Sequence, residues 1–393
     1  MLQSTRQHKA RTSRKRNAGF SLIEIMVGMV IALLGTIVMM NVFSVFEAQK
    51  RTTTGGSDIQ NNGAITLFTL QQTINQAGYG IAENKDMFGC NLSLLSNPTP
   101  NVSVPIAPVI INPPTSLVPA GDANTDTLLV MYGSGTEQPV GDIVKGHSGD
   151  PVTILNVWSS LMWQQNDQVI AMPLNRPGPP CNLLLTTVKD FPSPSQVEVY
   201  NGMALSDFPV KTVTATTGSG WLYNVGGSSM GFNVRAFAVR NGNLTMCDYM
   251  AANCGDGTQT NNPTIWLPIG NDIVSMRAEY GRDDTILNPT PMTGLVNTYD
   301  QTTPVSTSPT YSCDWARISA IRLVLVGRNN QPNPKPVTTS APTWSGSSVA
   351  PIDLTGTNSM LPTNFTWQNY RYKTFETTVA LRNIAMQGVY SGC

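Results

Sequence analysis

Charge is scarce in this 393-residue chain: 12 % of its residues are Asp, Glu, Lys or Arg, about half the share of an ordinary soluble domain. Histidine is nearly missing, His8 and His147 being the two copies, so a His-ligated zinc site or a His-dependent triad has almost nothing to build from. No Cys-x-x-Cys pair occurs, and a thiolate metal site loses its usual signature. A broad basic surface is absent too. Six of the 24 bases (Arg6, Lys9, Arg11, Arg14, Lys15, Arg16) fall in the first 19 positions with no acid among them, leaving 18 bases against 24 acids from Phe20 onward. That acidic body argues against nucleic acid as a partner, because phosphate binding needs clustered cations. With 33 Gly and 28 Pro, the composition is not that of a helical bundle and leans towards loops and strands.

What is present begins with an apolar run from Phe20 to Phe46 that a single charge, Glu24, interrupts. About 20 apolar residues cross a bilayer core, so the run is long enough to span. The stretch NVFSVFEAQK that follows Met40 holds no small-x-small cleavage site, which favours a retained helix over a secretory signal peptide. Bases ahead of the run place that end in the cytoplasm and everything after it outside. Two residues go beyond a generic anchor. Gly19 is a small residue where the basic leader meets the helix, and Glu24 is an acid inside it. A carboxylate in a membrane helix costs about 2.5 to 3.5 kcal/mol on insertion scales and usually has a partner. Gly28, Ala32 and Thr36 form a row of small residues that permits close helix contact, although ordinary membrane-helix composition explains the row equally well.

Gly19, Phe20, Ser21, Leu22, Ile23 and Glu24 resemble the type IV prepilin motif. The resemblance implies that a prepilin peptidase cuts after Gly19 and methylates the new N-terminal Phe20. Similarity to the PilW-type minor pilins extends through NNGAITLFTLQQTINQAGYG (61–80), Cys90, DIVSMRAEYGRDD (272–284), WARISAIRLVLVGRN (315–329) and RYKTFETTVALRN (371–383), and is patchy between about 90 and 270. It implies a minor pilin that joins other minor pilins and the major pilin at the start or tip of a type IV pilus and supports twitching motility and adhesion. The protein would sit in the inner membrane as a single pass with its C-terminus periplasmic, then move to the cell surface. Glu24 would neutralise the Phe20 amine of a neighbouring subunit and set the axial register. Two alternatives stand beside this one: a J-type pseudopilin of a type II secretion system, and a membrane-tethered periplasmic adhesin or binding module.

The residues give a matching organisation. A leader over 1–19 is followed by one helix over 20–77, with Ile59, Leu67, Leu70, Ile74 and Ala77 as its apolar stripe. At about 1.5 Å per residue such a helix reaches roughly 87 Å. Gly55 and Gly56 are expected to weaken or bend it. From Gly78 to Cys393 the period changes to two. Strands are expected at Asp126–Tyr132, Val197–Tyr200 and Asn233–Arg240, with Asn241-Gly242 as a type I′ turn into NLTMCDY. Val274, Met276, Ala278 and Tyr280 alternate with Ser275, Arg277 and Glu279 as in a strand with one buried face, and Phe375, Thr377, Val379 and Leu381 repeat the pattern. The fold class is therefore α+β, a long helix packed on a mainly antiparallel headpiece. Segments rich in Pro, Thr and Ser at 288–312 and 330–363 are expected to run over its outside without a core of their own.

The six cysteines Cys90, Cys181, Cys247, Cys254, Cys313 and Cys393 all lie beyond the membrane run, where an oxidising compartment favours disulfides. Six thiols allow 15 full pairings, of which the sequence marks Cys247 with Cys254 as the best local pair. GDANTD (121–126) and CGDGTQTNN (254–262) hold Asp and Asn but lack the spacing of a calcium loop and read as turns. GHSGD around His147, Ser148 and Asp150 is a sequence neighbourhood and not a triad. GSGTEQPVGD lacks the Lys and following helix of a phosphate loop. No cofactor, metal or catalytic residue is expected, and the chain reads as a structural protein rather than an enzyme.

Overall fold

The computed structural model describes residues 19–94, 102–134, 140–149, 151–174, 176, 181–203, 220–227, 231–283, 291–305 and 310–393. The chain forms two compact units, Met1–Thr54 and Gly55–Cys393. Their boundary falls inside the first helix, α1, which spans Leu22–Gln76.

In the first unit the large apolar side chains from Phe20 to Phe46 are exposed, as expected of a helix that is apolar all round and therefore has no single face to bury. Its hydroxyls are satisfied within the helix: Thr36 Oγ1 donates to Leu33 O and Ser44 Oγ to Asn41 O, each at 2.8 Å.

The second unit opens with the rest of α1, whose inner face carries Ile59, Thr66, Leu70, Thr73, Ile74 and Ala77 at spacings of three, four and seven. Gly55 and Gly63 complete that stripe. Helical hydrogen bonding continues through Gly55 and Gly56, and Gly55 serves packing: a Cβ there would collide with the Asn329 amide, and one at Gly63 with the Phe375 ring. Gly56 faces open space. The helix stops where Gly78 takes φ +84°, a conformation that glycine adopts without a Cβ penalty.

Eighteen strands are described after α1. β1 (Asn91–Leu94), β2 (Val102–Pro105), β3 (Val109–Ile111) and β4 (Leu128–Tyr132) come first. Then follow β5 (Asp142–Val144), β6 (Gly146–Ser148), β7 (Val152–Asn156), β8 (Gln168–Pro173), β9 (Asn182–Asp190), β10 (Gln196–Met203) and β11 (Gly220–Gly226). β12 (Asn233–Arg240), β13 (Asn243–Asp248), β14 (Leu267–Gly270), β15 (Ile273–Arg282) and β16 (Thr298–Asp300) lead to a short helix α2 (Tyr311–Ala316). β17 (Ile318–Arg328), β18 (Tyr372–Ala380) and α3 (Arg382–Ala385) close the chain. The pairings are antiparallel except that β1 runs parallel to β9.

One sheet has the order β14-β13-β12-β4-β3 and another β16-β15-β17-β18. The inner face of α1 lies on the second, with Ile59 against Gly327 and Gly63 under Phe375. Leu70, Ile74, Met276, Leu323 and Leu325 join both sheets in one core. The β12–β13 turn has φ 52° at Asn241 and 71° at Gly242, the two positive angles of a type I′ hairpin. The Asp122 carboxylate accepts both backbone N–H groups of that turn, at 2.9 and 2.8 Å.

The third sheet runs β5-β11-β8-β9-β10-β7-β6. β5 and β6 are halves of one run separated by Lys145, so the order begins and ends on the same segment and the sheet closes into a barrel. Its interior is a separate core that includes Val144, Leu155, Trp163, Val169, Val188, Val197 and Leu222. The barrel is inserted between β4 and β12, which pair directly with each other.

Two sequence expectations need correction here. β15 is buried on both faces: Ser275 is 0 % and Glu279 1 % exposed, alongside Met276, Ala278 and Tyr280. The reason is the segment 330–363, which does not run over the outside but covers the second face of the β15–β17–β18 sheet. Trp344, Ala350, Ile352 and Leu354 form a core there with Val274, Val324 and Val326. The cover is held by polar contacts where it lacks regular structure, Trp344 Nε1 donating to Ala350 O at 2.7 Å and Asn369 Nδ2 to Asn333 O at 2.9 Å. Of the other segment, the described residues 291–305 also dock. Gln301 Nε2 donates to Asp126 Oδ2 and Ala278 O, each at 2.7 Å, and Arg282 grips Asp300 through two bonds of 2.9 and 3.0 Å.

Candidate functional site

The first candidate is the N-terminal segment. Gly19 and Phe20 precede α1, both exposed, and Ser21 sits at the position that caps it. Ser21 N–H donates to Glu24 Oε2 at 3.4 Å, while Glu24 N–H and Ile25 N–H donate to Ser21 O at 3.0 and 3.2 Å. The Glu24 carboxylate thus folds back over the first turn, where free N–H groups and the positive end of the helix dipole favour a negative charge. Gly28, Ala32 and Thr36 lie on the exposed surface of the same helix, and a Cβ at Gly28 would meet nothing within 4 Å. The stretch Leu22–Glu47 is 26 residues long with a mean hydropathy of 2.5, which at about 1.5 Å per residue is enough to cross a bilayer core. The leader before Gly19 lies outside the described residues.

The second candidate is the clamp at the far end of α1. Asn383 Nδ2 donates to Gln76 O and to Ala77 O, each at 3.0 Å, answering carbonyls that a helix leaves unpaired at its C-terminus. Tyr390 Oη donates to Ala82 O, and burial pushes its phenol pKa up. The tail carrying Asn383 and Tyr390 is tied to α2 by the Cys313–Cys393 disulfide, and Arg317 Nη2 donates to Cys393 O. The block 371–383 already contained Asn383, but nothing in sequence links it to a helix end some 300 positions earlier.

All six cysteines are paired. Cys247–Cys254 closes the short ring that the sequence marked, while Cys90–Cys181 and Cys313–Cys393 span 91 and 80 positions. Cys90 and Cys181 stand directly before the parallel partners Asn91 and Asn182, so that bond fixes the start of the β1–β9 pair.

The acidic groups of the two calcium-like stretches are engaged by protein donors. Asp126, buried, accepts Arg277 Nη1 at 2.8 Å, Ala278 N at 2.9 Å and Asn112 Nδ2 at 2.9 Å. Asp256 accepts Thr258 N and Oγ1 at 2.9 and 2.7 Å, which holds its pKa below the usual range. Both calcium-like stretches are turns of this kind. Burial raises the carboxyls of Glu83, Asp142, Asp272 and Glu279 and lowers His147; Asp150 lies outside the described residues. A cavity of about 330 Å³ between the barrel and β12–β13 is lined by Gln168, Leu185, Phe232, Asn233, Asp248 and Met250. Gln168 accepts Phe232 N–H, and Asp248 accepts Met250 N–H at 2.9 Å. These polar groups hold loops in place.

Residues 236–383 match the family model described as Type IV Pilus-assembly protein W, and residues 14–40 match that of the prokaryotic N-terminal methylation motif. The first segment runs from β12 to α3 and the second covers the membrane end of α1, so the barrel lies outside both. No curated protein matches the chain. Among solved structures, a type IV-like pilin from Thermus thermophilus aligns at 12 % identity over 56 % of this chain and 86 % of its own, with a TM-score of 0.21.

Proposed function

We propose that this chain, a type IV pilin of the PilW type, works as a minor pilin in the complex that initiates or tips the pilus. The observation that supports this most directly is the junction of Gly19 and Phe20 with an apolar helix exposed on every side. Prepilin peptidase removes the leader after Gly19 and methylates Phe20. The trimmed helix, stored in the inner membrane with the headpiece on the periplasmic side, then packs against other minor pilins and the major pilin.

In the precursor Glu24 rests on its own first turn. Once Gly19 is cut away, the Phe20 amine of a neighbouring subunit competes for the carboxylate. An unpaired acid and amine in apolar surroundings each cost several kcal/mol, so a misregistered neighbour is rejected and the axial step is fixed. Gly28, Ala32 and Thr36 let the helices approach. Twitching motility and adhesion follow from the filament that this subunit helps to start.

The test is Gly19→Trp. The variant is expected to persist as an uncut precursor in the membrane fraction, whereas the wild-type protein in sheared filaments begins at N-methylated Phe20 by mass spectrometry. Residues 1–19 found on the assembled protein would refute the reading.

A further inference from the structure

Two of the three sheets are open, and three of their four edges are guarded. β3 is three residues long and buried, β14 is four long with Pro268 and a shift of register, and β16 is three long. Short, irregular or covered strands of this kind keep a sheet from growing. β18 has none of these guards. It runs for nine residues, Tyr372–Ala380, without proline, glycine or a bulge. Its threonines, Tyr372, Phe375 and Val379 are the β-branched and aromatic types that favour strands.

Which of its backbone groups face outward follows from the ladder. Asn329 N–H donates to Arg371 O at 2.9 Å and Leu381 N–H to Ser319 O at 2.8 Å, and between those two bonds the register of β17 and β18 runs without a shift. The odd-numbered residues of β18 therefore bond to β17, and the N–H and C=O groups of Tyr372, Thr374, Glu376, Thr378 and Ala380 point the other way. Among the described residues none of these outward groups has a hydrogen-bond partner. The edge is accessible as well. Glu376, Thr378 and Ala380 are exposed, although α1 lies on one face of the strand through Phe375 and the 330–363 cover reaches the other. Ser345 N–H donates to both Glu376 oxygens at 3.3 Å, and among the described residues no base forms an ion pair with that carboxylate.

We infer that β18 accepts an extended segment of a second, different protein as an added strand, with a lysine or arginine of that segment beside Glu376. An alternating row of donors and acceptors along a straight edge is complementary to the backbone of another strand. In strand addition the main-chain bonds give affinity and the side chains specificity, and here the specificity lies in the acid that the headpiece leaves without a cation. A second copy of this chain fits worse. Antiparallel pairing over the whole of β18 sets Glu376 directly opposite the same residue of the copy, and like charges in that position repel. The inference holds whether or not the chain enters a filament.

The test uses the full chain in lipid nanodiscs and a synthetic peptide as long as β18, alternating threonine and valine with arginine at its centre. Hydrogen exchange at single amides and anisotropy of the labelled peptide are the readouts. The peptide is expected to slow exchange at Thr374, Glu376 and Thr378 at least tenfold, whereas Phe375 and Thr377, already bonded to β17, change little. Thr378→Pro should weaken binding at least tenfold at an unchanged melting temperature, because the N–H it removes serves no bond within the sheet. Thr378→Ser should bind as wild type does. Glutamate in place of the peptide's arginine should cost several-fold, and Glu376→Lys should reverse that preference. Any one of four results overturns the inference: no protection by the peptide, equal binding by Thr378→Pro, indifference to the central charge, or edge amides already protected before peptide is added. Protection of the last kind that grew with protein concentration would identify a second copy as the occupant. Each leaves cleavage after Gly19, and with it the pilin reading, untouched.

Discussion

Glu24 is the residue on which the proposed assembly mechanism turns. Its carboxylate is held over its own first turn by Ser21 N–H, a contact weak enough to exchange for a full charge. Glu24→Leu removes the cost of an acid in the membrane and at the same time leaves the neighbour's amine unpaired, two effects of opposite sign. The variant is expected to insert and be processed normally yet to be depleted at least several-fold from sheared filaments; equal recovery would exclude charge pairing. Two glycines of α1 make a second comparison at the same scale. A side chain at Gly63 collides with Phe375, whereas one at Gly56 meets nothing within 4 Å. Gly63→Leu should therefore destabilise the headpiece by about 1 to 3 kcal/mol through overpacking. Gly56→Ala should stabilise it by up to about 1 kcal/mol, because alanine replaces glycine in an exposed helix. Urea melts of the two variants that moved in the same direction would show that α1 does not seat on the sheet in this way.

Among the elements, the tail after β18 carries the next prediction. It caps α1 through Asn383 and is closed by the Cys313–Cys393 disulfide. Replacing both cysteines with serine reopens a loop of 80 positions, worth about 4.5 kcal/mol in the chain-entropy account. The loss should appear locally as faster amide exchange at Gly78, Ile81 and Ala82, and Asn383→Ala should reproduce a part of it. Unchanged exchange at those amides would mean that the tail is not a clamp. Sequence reading reached the local half of this architecture. The β12–β13 hairpin was legible because Asn241-Gly242 sits between two alternating runs, and the Cys247–Cys254 ring because its ends are neighbours in sequence. The Cys313–Cys393 pair and the Asn383 cap were not, since both depend on contacts across hundreds of positions. The cover over β15 escaped for a different reason. Its burial comes from a few scattered residues such as Trp344 and Ile352, which carry no period, so Ser275 and Glu279 read as a solvent face.

At the scale of the whole molecule, the barrel was the largest feature the sequence concealed. β5 and β6 have three residues each, too few for alternation to register, and closure depends on one segment pairing at both ends of the sheet order. Barrel, cover and sheets together make the unit Gly55–Cys393 large. Compact-domain scaling for a chain of that length gives a radius of gyration of about 20 Å, hence a body some 50 Å across. Membrane helices in a filament pack about 8 to 10 Å apart, and bodies of this size on every helix would collide unless successive subunits were widely staggered. At the end of a filament no next layer exists, and both the barrel and the 330–363 cover have room there. A rare, terminal subunit is the arrangement that this size allows. Quantitative mass spectrometry of purified pili should therefore find this chain far below the major pilin, at a ratio that falls further as filaments lengthen. A ratio that stayed constant with length would place the chain along the shaft and overturn the proposed terminal role.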